Sequence, residues 1–452
     1  MNTIFTTALW VIGGMVFTSF GVFALVSLRE GERRAARVAF GAAVSGGLLF
    51  LLGTCLPVTW QAVMVGGMAL AGVIFLVLFF LPVGRISEFP QVPENRVDER
   101  DMMFARARLK PGSANYASYY SLRPEKKALD DQIRARPGLL SPESKYANPF
   151  LFAAPDASFF LTKALRDAVD GPVAAARQTL PVERMTRYLK HLAKFFGALD
   201  VGVAELKPCH IYTHIGRGTG QYGAPVTLDH RYAIVFTVEM DHAMIGANPT
   251  APGIMESARE YVESARIAVQ LAAAIRNLGY PARAHIDGNY RVIAPLAARD
   301  AGLGEIGRMG LLITPKYGPR VRLGVVTTSL ELAADAYRPD HAIIDFCNIC
   351  KKCALNCPSR SIPFDSRREI GGALRWQINA ETCFHYWNVA GTDCGLCMTV
   401  CPYSHPNTLF HNVIRWGIDR SGFFRRFASF MDDVFYGKKP ASRQAPKWTQ
   451  IP

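Results

Sequence analysis

Outside residues 347–401 this 452-residue chain has only two cysteines, Cys55 and Cys209, and only 19% of its residues are charged. The first scarcity leaves no thiols for a disulfide scaffold in the rest of the chain. The second does not signal disorder, because half of the residues are apolar and 27 Phe and 16 Tyr call for substantial burial. Basic residues exceed acidic ones to give a net charge of +14, yet they are scattered and form no long block, which argues against nucleic acid as a partner. A nicotinamide or flavin fingerprint is missing too. Glycines from Gly216 to Gly223 follow an expected strand, but Ala224-Pro225-Val226 stands where a dinucleotide fold starts its helix. That segment reads either as a loop admitting close backbone approach or as a plain turn.

Charge is absent altogether from residues 4–28 and from the 47 positions of residues 38–84, the latter broken by Pro57-Val58-Thr59. A membrane span needs about 20 apolar residues to cross a hydrocarbon core of about 30 Å, so three spans are expected. The first segment has no basic stretch before it and no twin arginine, and it exceeds a signal-peptide core, which favours an anchor over an export signal. Arg29, Arg33, Arg34 and Arg37 lie between spans one and two, while the Pro57–Trp60 turn carries no charge. The positive-inside rule then places those arginines, and everything after the third span, in the cytoplasm.

Residues 1–84 thus read as a three-helix anchor and residues 85–200 as a connector and covering segment with little regular structure up to Asn148. Within 183–199, Met185, Leu189, Leu192, Phe196 and Leu199 share one helical face. Segments 209–214, 232–239, 282–287 and 321–328 read as strands and 256–278 as a long helix stopped by Gly279, so residues 201–340 form an α/β or α+β domain. The aromatic and basic extension at 411–452 suits either the membrane surface or the face of the folded domain.

The remaining eight cysteines form two runs. Cys347-x2-Cys350-x2-Cys353-x3-Cys357-Pro358 has the spacing of bacterial two-cluster ferredoxins, where three thiolates hold one cubane and the fourth reaches the other. The second run, Cys383 followed by Cys394-x2-Cys397-x3-Cys401-Pro402, displaces its first ligand but keeps the last three. Two [4Fe–4S] clusters are expected within 341–410, one on Cys347, Cys350, Cys353 and Cys401, the other on Cys357, Cys383, Cys394 and Cys397. Soft thiolates select iron–sulfur over Mg²⁺ or Ca²⁺, and neither the zinc patterns nor a cytoplasmic disulfide framework fits as well. Cys55 and Cys209 read as ordinary buried cysteines.

From about residue 95 to 410 the sequence resembles the reductive dehalogenases, particularly their membrane-integrated members, and more distantly epoxyqueuosine reductase. The resemblance rests on HIYTHIGRG at 210–218, RYAIVFTVEMD at 231–241, LAAAIRNLGYPARAHIDGNY at 271–290, the AGLGEIGRMG stretch continuing to 328, and the two cysteine runs closing with GTDCGLCMTVCPYSHP. It implies an α+β protein with a nitroreductase-like domain holding base-off cobalamin, which one cluster reduces electron by electron. Consistent with that ligation, Asp241-His242 lacks the Asp-x-His-x-x-Gly spacing of a lower-ligand histidine. The family's Tyr proton donor is best matched by Tyr261 and its Arg by Arg322, with Arg320 the neighbouring candidate.

A third polar position falls within His285–Tyr290, with Asn289 the first choice, while Asp287 aligns with the acidic donor of epoxyqueuosine reductase. Gly216 and Gly218, and Gly302, Gly304, Gly307 and Gly310, are carried over as backbone that passes close to the corrin. His210 and His214 read as lining the cofactor pocket or as satisfied core histidines rather than as metal ligands, for want of a third ligand nearby. The resemblance further implies an organohalide substrate and electrons from a donor protein or a membrane quinol pathway. Respiratory members pair a secreted catalytic subunit with a separate small anchor, so a fused anchor speaks against a respiratory role. Two rivals remain at this level, a cobalamin-dependent reductase of a non-halogenated substrate and a non-catalytic iron–sulfur electron carrier.

Overall fold

The computed structural model describes residues 2–84 and 93–451. Two compact units emerge, each assembled from separated stretches of the chain.

The first unit contains residues up to 87, 341–350 and 406–444. Its three apolar helices are Asn2–Arg29, Arg33–Gly53 and Val58–Phe80, each long enough and apolar enough to cross a membrane. Glycine and alanine on the first two let them pack closely, and Gln61 closes the second turn by donating to the Thr54 and Leu56 carbonyls. Cys55 lies in that turn and is exposed, a correction to the burial expected from its apolar context. Most of the C-terminal extension belongs to this unit. Helix Leu409–Arg420 lays Phe410 on Phe23 with ring centroids 4.4 Å apart, and helix Gly422–Tyr436 sets Phe423 and Phe427 edge-on to Phe75. Polar residues of the extension pair with the arginine-rich loop, His411 of the first of these helices with Glu30 at 3.0 Å and Arg443, beyond the second, with Glu32. Helix His341–Cys350, which carries Cys347 and Cys350, is pinned to the same helices by the buried Asp345–Arg425 ion pair at 2.6 Å.

The second unit, 88–340, 351–405 and 445–452, is built on strands β1 (Val201–Glu205), β2 (Tyr232–Glu239), β3 (Ala282–His285), β4 (Glu305–Ile306), β5 (Leu312–Ile313), β6 (Val321–Thr328), β7 (Arg368–Ile370) and β8 (Ala373–Arg375). A four-stranded antiparallel sheet has the order β1-β2-β6-β3. Seven consecutive residues of β2 are buried because both faces are covered. Helices Val182–Phe195 and Ala251–Asn277 cover the face of Ile234, Phe236 and Val326, and helix Ala294–Asp300 covers that of Ala233, Val235 and Val325. The long helix begins five residues before the expected start because Pro252 fits a first turn, where its missing N–H is not needed.

Two expectations are corrected here. Within the described part of the connector, helices Met103–Arg106, Ala114–Leu122 and Pro124–Arg134 replace the irregular chain. They are short, started by Ser113 as a side-chain cap and by Pro124, and held by Arg106, whose buried guanidinium pairs with Asp130 at 2.5 Å and Glu381 at 2.9 Å. The expected strand at 209–214 is instead a single helical turn, Pro208–His210, followed by isolated bridges from Ile211 to Val292 and His214 to Pro225.

Candidate functional site

Four thiols converge in the second unit. Cys394 sits in a left-handed conformation at the start of the turn that presents Cys397, and Cys383 comes from helix Ala380–Ala390. Burial pushes the Cys383 thiol up to about 11 and Cys394 to about 12, and it raises Cys397 well above its ordinary value. Each of these thiols is also raised by Cys357, and Cys397 by Cys353 as well. Buried thiols that oppose one another's ionisation suit a bound cationic iron–sulfur core, which removes both penalties by taking them as thiolates. The Ser361 N–H donates to Cys357 Sγ at 3.2 Å, the kind of contact that sets a cluster's potential.

Tyr261 and Arg322 meet on the face of the sheet covered by the long helix. Arg322, paired with Val238 in the β2–β6 register, places its guanidinium carbon 3.9 Å from the centroid of the Tyr261 ring. Tyr290 and Asp393 lie within electrostatic reach of Arg322, and each of them also of Tyr261. Burial raises the hydroxyl pKa of Tyr261 and Tyr290, and Arg322 opposes the rise. Burial raises Asp393 as well, against a hydrogen bond from Ser257 and the charge of Arg322. All four lie deep in the unit, yet none of them is fully buried.

Glu260, next to Tyr261, is buried with its carboxylate 2.6 Å from Arg259, and burial pushes its pKa up to about 7. A folded pKa above the unfolded value of 4.5 gives stability that is present below that value and lost as the pH rises through about 7. Glu260→Gln is therefore expected to melt above the wild type at about pH 8 and level with it at about pH 4.5, with thermal unfolding in detergent as the readout.

The 285–290 loop distributes its side chains differently from the sequence reading. The amide of Asn289, fully buried, accepts from Arg283 at 2.8 Å and donates to the Arg166 carbonyl at 2.9 Å and to Thr219 at 3.1 Å. Its polar atoms are thus engaged by the surrounding loops, and Tyr290 is the loop residue beside Tyr261. Asp287 pairs with Arg166 at 3.3 Å and remains an electrostatic neighbour of Tyr261 and Arg322. His285 is held between Thr327 Oγ1 at 2.9 Å and the Arg291 N–H at 3.1 Å, and burial keeps it neutral.

The other expected residues take separate places. His210, fully buried, faces Asp300 at 3.1 Å, whereas His214 contacts Thr213 and Asp98, so the two histidines have different partners. Arg320 is fully buried and donates to the Ser404 carbonyl at 3.1 Å and to Glu239 at 2.9 Å, tying the end of the second cysteine run to β2. The Gly216 N–H donates to Glu99 at 2.9 Å. Gly218 has φ +83°, and a Cβ there would stand 2.4 Å from Asn289 Oδ1. Gly304, where a Cβ would stand 2.2 Å from the Ile313 carbonyl oxygen, closes the β4–β5 hairpin. Gly307 and Gly310 shape the turn of that hairpin, and Gly302 follows the Ala294–Asp300 helix.

Tyr290 and Asp393 were not singled out from the sequence, although both stand in the quoted segments HIDGNY and GTDCGLC. Their signal was proximity to residues already chosen, which only the fold reveals.

These features describe an iron–sulfur protein with a tyrosine–arginine site and three long apolar helices. The 4Fe-4S dicluster domain family matches residues 346–405. The tetrachloroethene reductive dehalogenase of Sulfurospirillum multivorans is 33% identical over 297 residues, 58% of this chain and 58% of that one. A solved catabolic reductive dehalogenase, NpRdhA, superposes with a TM-score of 0.65 at 25% identity, covering 78% of this chain and 49% of that chain. A reductive dehalogenase structure solved in connection with B12-dependent dehalogenation gives 0.64 at 24% identity over the same shares. The chain is similar to the reductive dehalogenases and shares their fold, and over a shorter stretch it is similar to epoxyqueuosine reductase. It spans between about a quarter and three-fifths of the length of the reductive dehalogenases it matches.

Proposed function

We propose that this protein is a cobalamin-dependent reductive dehalogenase that replaces a carbon–halogen bond with carbon–hydrogen. The observation that carries the reading is Arg322 stacked on Tyr261 with Tyr290 and Asp393 as their neighbours. The overall change is R–X + 2e⁻ + H⁺ → R–H + X⁻. When bound, base-off cobalamin supplies strongly reducing cobalt for the electron-accepting half of this change. Tyr261, kept protonated by burial, gives its proton to the carbon that loses halide. Arg322 stabilises the phenolate left behind and favours departure of the anion. Tyr290 packs beside them and helps to exclude water.

Two [4Fe–4S] clusters are assigned to the ligand sets expected from the spacing, Cys347, Cys350, Cys353 and Cys401 for one and Cys357, Cys383, Cys394 and Cys397 for the other. Gly216, Gly218, Gly302, Gly304, Gly307, Gly310, His210, His214, Asp287 and Arg320 are the residues proposed to frame the corrin, directly or through the loops they hold. The three apolar helices are taken as spans, with the arginine loop and the catalytic part in the cytoplasm. Electrons come from a donor protein or a membrane quinol pathway.

Halide release by anaerobically reconstituted protein under a strong reductant tests this function. Corrin binding without halide release favours a cobalamin-dependent reductase of another substrate, and iron without corrin favours a plain electron carrier.

A further inference from the structure

Behind the Cys357 thiol runs a line of hydroxyl groups with no part in the function proposed above. Cys357 Sγ lies 3.5 Å from Ser359 Oγ, Ser359 Oγ lies 2.7 Å from Ser361 Oγ, and Ser361 Oγ lies 2.7 Å from Thr382 Oγ1. Thr382 is exposed and immediately precedes Cys383 on the Ala380–Ala390 helix, so the line leads from one sulfur of the thiol group to the surface of the same unit.

Backbone contacts fix these positions. The chain turns back at Arg360, whose φ of +52° is left-handed. Ser361 is buried, with its N–H on Cys357 Sγ at 3.2 Å and its carbonyl accepting from the Asn379 N–H at 2.8 Å. Asn379 in turn caps the Cys383 helix, its side-chain oxygen accepting from the Glu381 and Thr382 N–H groups at 3.1 Å. Ser361 thus joins the two segments that supply Cys357 and Cys383.

Each hydroxyl has one proton to donate, so the direction of the line is decided at its ends. A thiol at Cys357 can donate outwards, and Thr382 then donates to the Asn379 carbonyl 3.2 Å away. A sulfur bound to iron is a thiolate and only accepts. Ser359 must then donate to Cys357, Ser361 to Ser359 and Thr382 to Ser361, and each bond polarises the next. One-electron reduction of a bound cluster adds negative charge that its ligand sulfurs share, and a donor aimed at one of them favours the reduced state.

We propose that Ser359, backed by Ser361 and Thr382, raises the reduction potential of the iron–sulfur cluster ligated by Cys357. This rests on the cluster ligands assigned under the proposed function and is independent of the substrate.

Redox titration of the full-length, anaerobically reconstituted protein in detergent, followed by low-temperature electron paramagnetic resonance, tests it. In Ser359→Ala the one-electron equilibrium of one cluster is expected to move roughly tenfold towards the oxidised form, which is about 59 mV lower in potential. The other cluster should keep its wild-type potential, and iron and sulfide contents should not change. Ser361→Ala keeps the backbone N–H on Cys357 but interrupts the line, and is expected to move the same cluster in the same direction by less. Ser359→Thr keeps the hydroxyl and should titrate with the wild type. Unchanged potentials in both alanine variants overturn the proposal, as does a shift in Ser359→Thr as large as that in Ser359→Ala. Loss of a cluster from both alanine variants also overturns it, because the hydroxyls would then support the loop without setting a potential. A wild-type protein with a single cluster signal and too little iron for two cubanes would instead reject the ligand assignment on which the proposal stands.

Discussion

Tyr261→Phe is expected to lower halide release by roughly 10²–10⁴-fold, the range typical of a lost general acid, while iron and corrin contents stay at wild-type values. The variant keeps the ring under the Arg322 guanidinium and removes only the hydroxyl, so the stack at 3.9 Å should survive. What disappears is a proton held in place by burial, with Arg322 ready to meet the charge it leaves. Turnover by anaerobic halide assay, with metal analysis on the same samples, checks the prediction. Full activity in the variant would show that the proton comes from elsewhere, and Tyr290 or Asp287 would then be the next groups to replace.

Cys397→Ala should be equally severe by another route. Cys397 is a buried thiol whose ionisation is opposed by Cys394, Cys383, Cys357 and Cys353. Its removal should cost one cluster, about half of the iron in a protein with two cubanes. Halide release should then fall to the background rate when electrons are supplied through the protein. Iron and sulfide analysis together with low-temperature electron paramagnetic resonance would reveal one remaining cluster signal. A variant with full iron content and unaltered spectra would remove Cys397 from the ligand set.

The parts of this fold legible in the sequence were those with strong local periodicity or rigid spacing. Tyr232–Glu239 and Val321–Thr328 are runs of β-branched and apolar residues, and they fall on β2 and β6 without adjustment. The charge-free stretches correspond to the three apolar helices. The connector was harder to read, because helices of four to eleven residues are too short to establish a period. Their order depends on long-range pairs such as Arg106 with Glu381, 275 positions away.

The site shows the same division. Tyr261 and Arg322 were chosen by resemblance, and the β2–β6 register together with the covering helix brings them into contact. Within the HIDGNY loop, composition could not tell which side chain turns inward. Three contacts hold the Asn289 amide, to Arg283 on the preceding strand, to Thr219 and to the Arg166 carbonyl, and only the fold brings the last two to it. Gly218 has a left-handed backbone and closely approaches Asn289, a loop-on-loop contact that a glycine in a sequence does not reveal.

Cobalt retention tests the central claim most directly. Protein purified without oxygen and reconstituted with iron, sulfide and cobalamin should hold cobalt at about one atom per chain after gel filtration. It should also show the absorbance of a corrin lacking a lower histidine ligand. A preparation that keeps its iron and its fold but no cobalt would contradict the account, because the site formed by Tyr261 and Arg322 would then have no reductant to work beside.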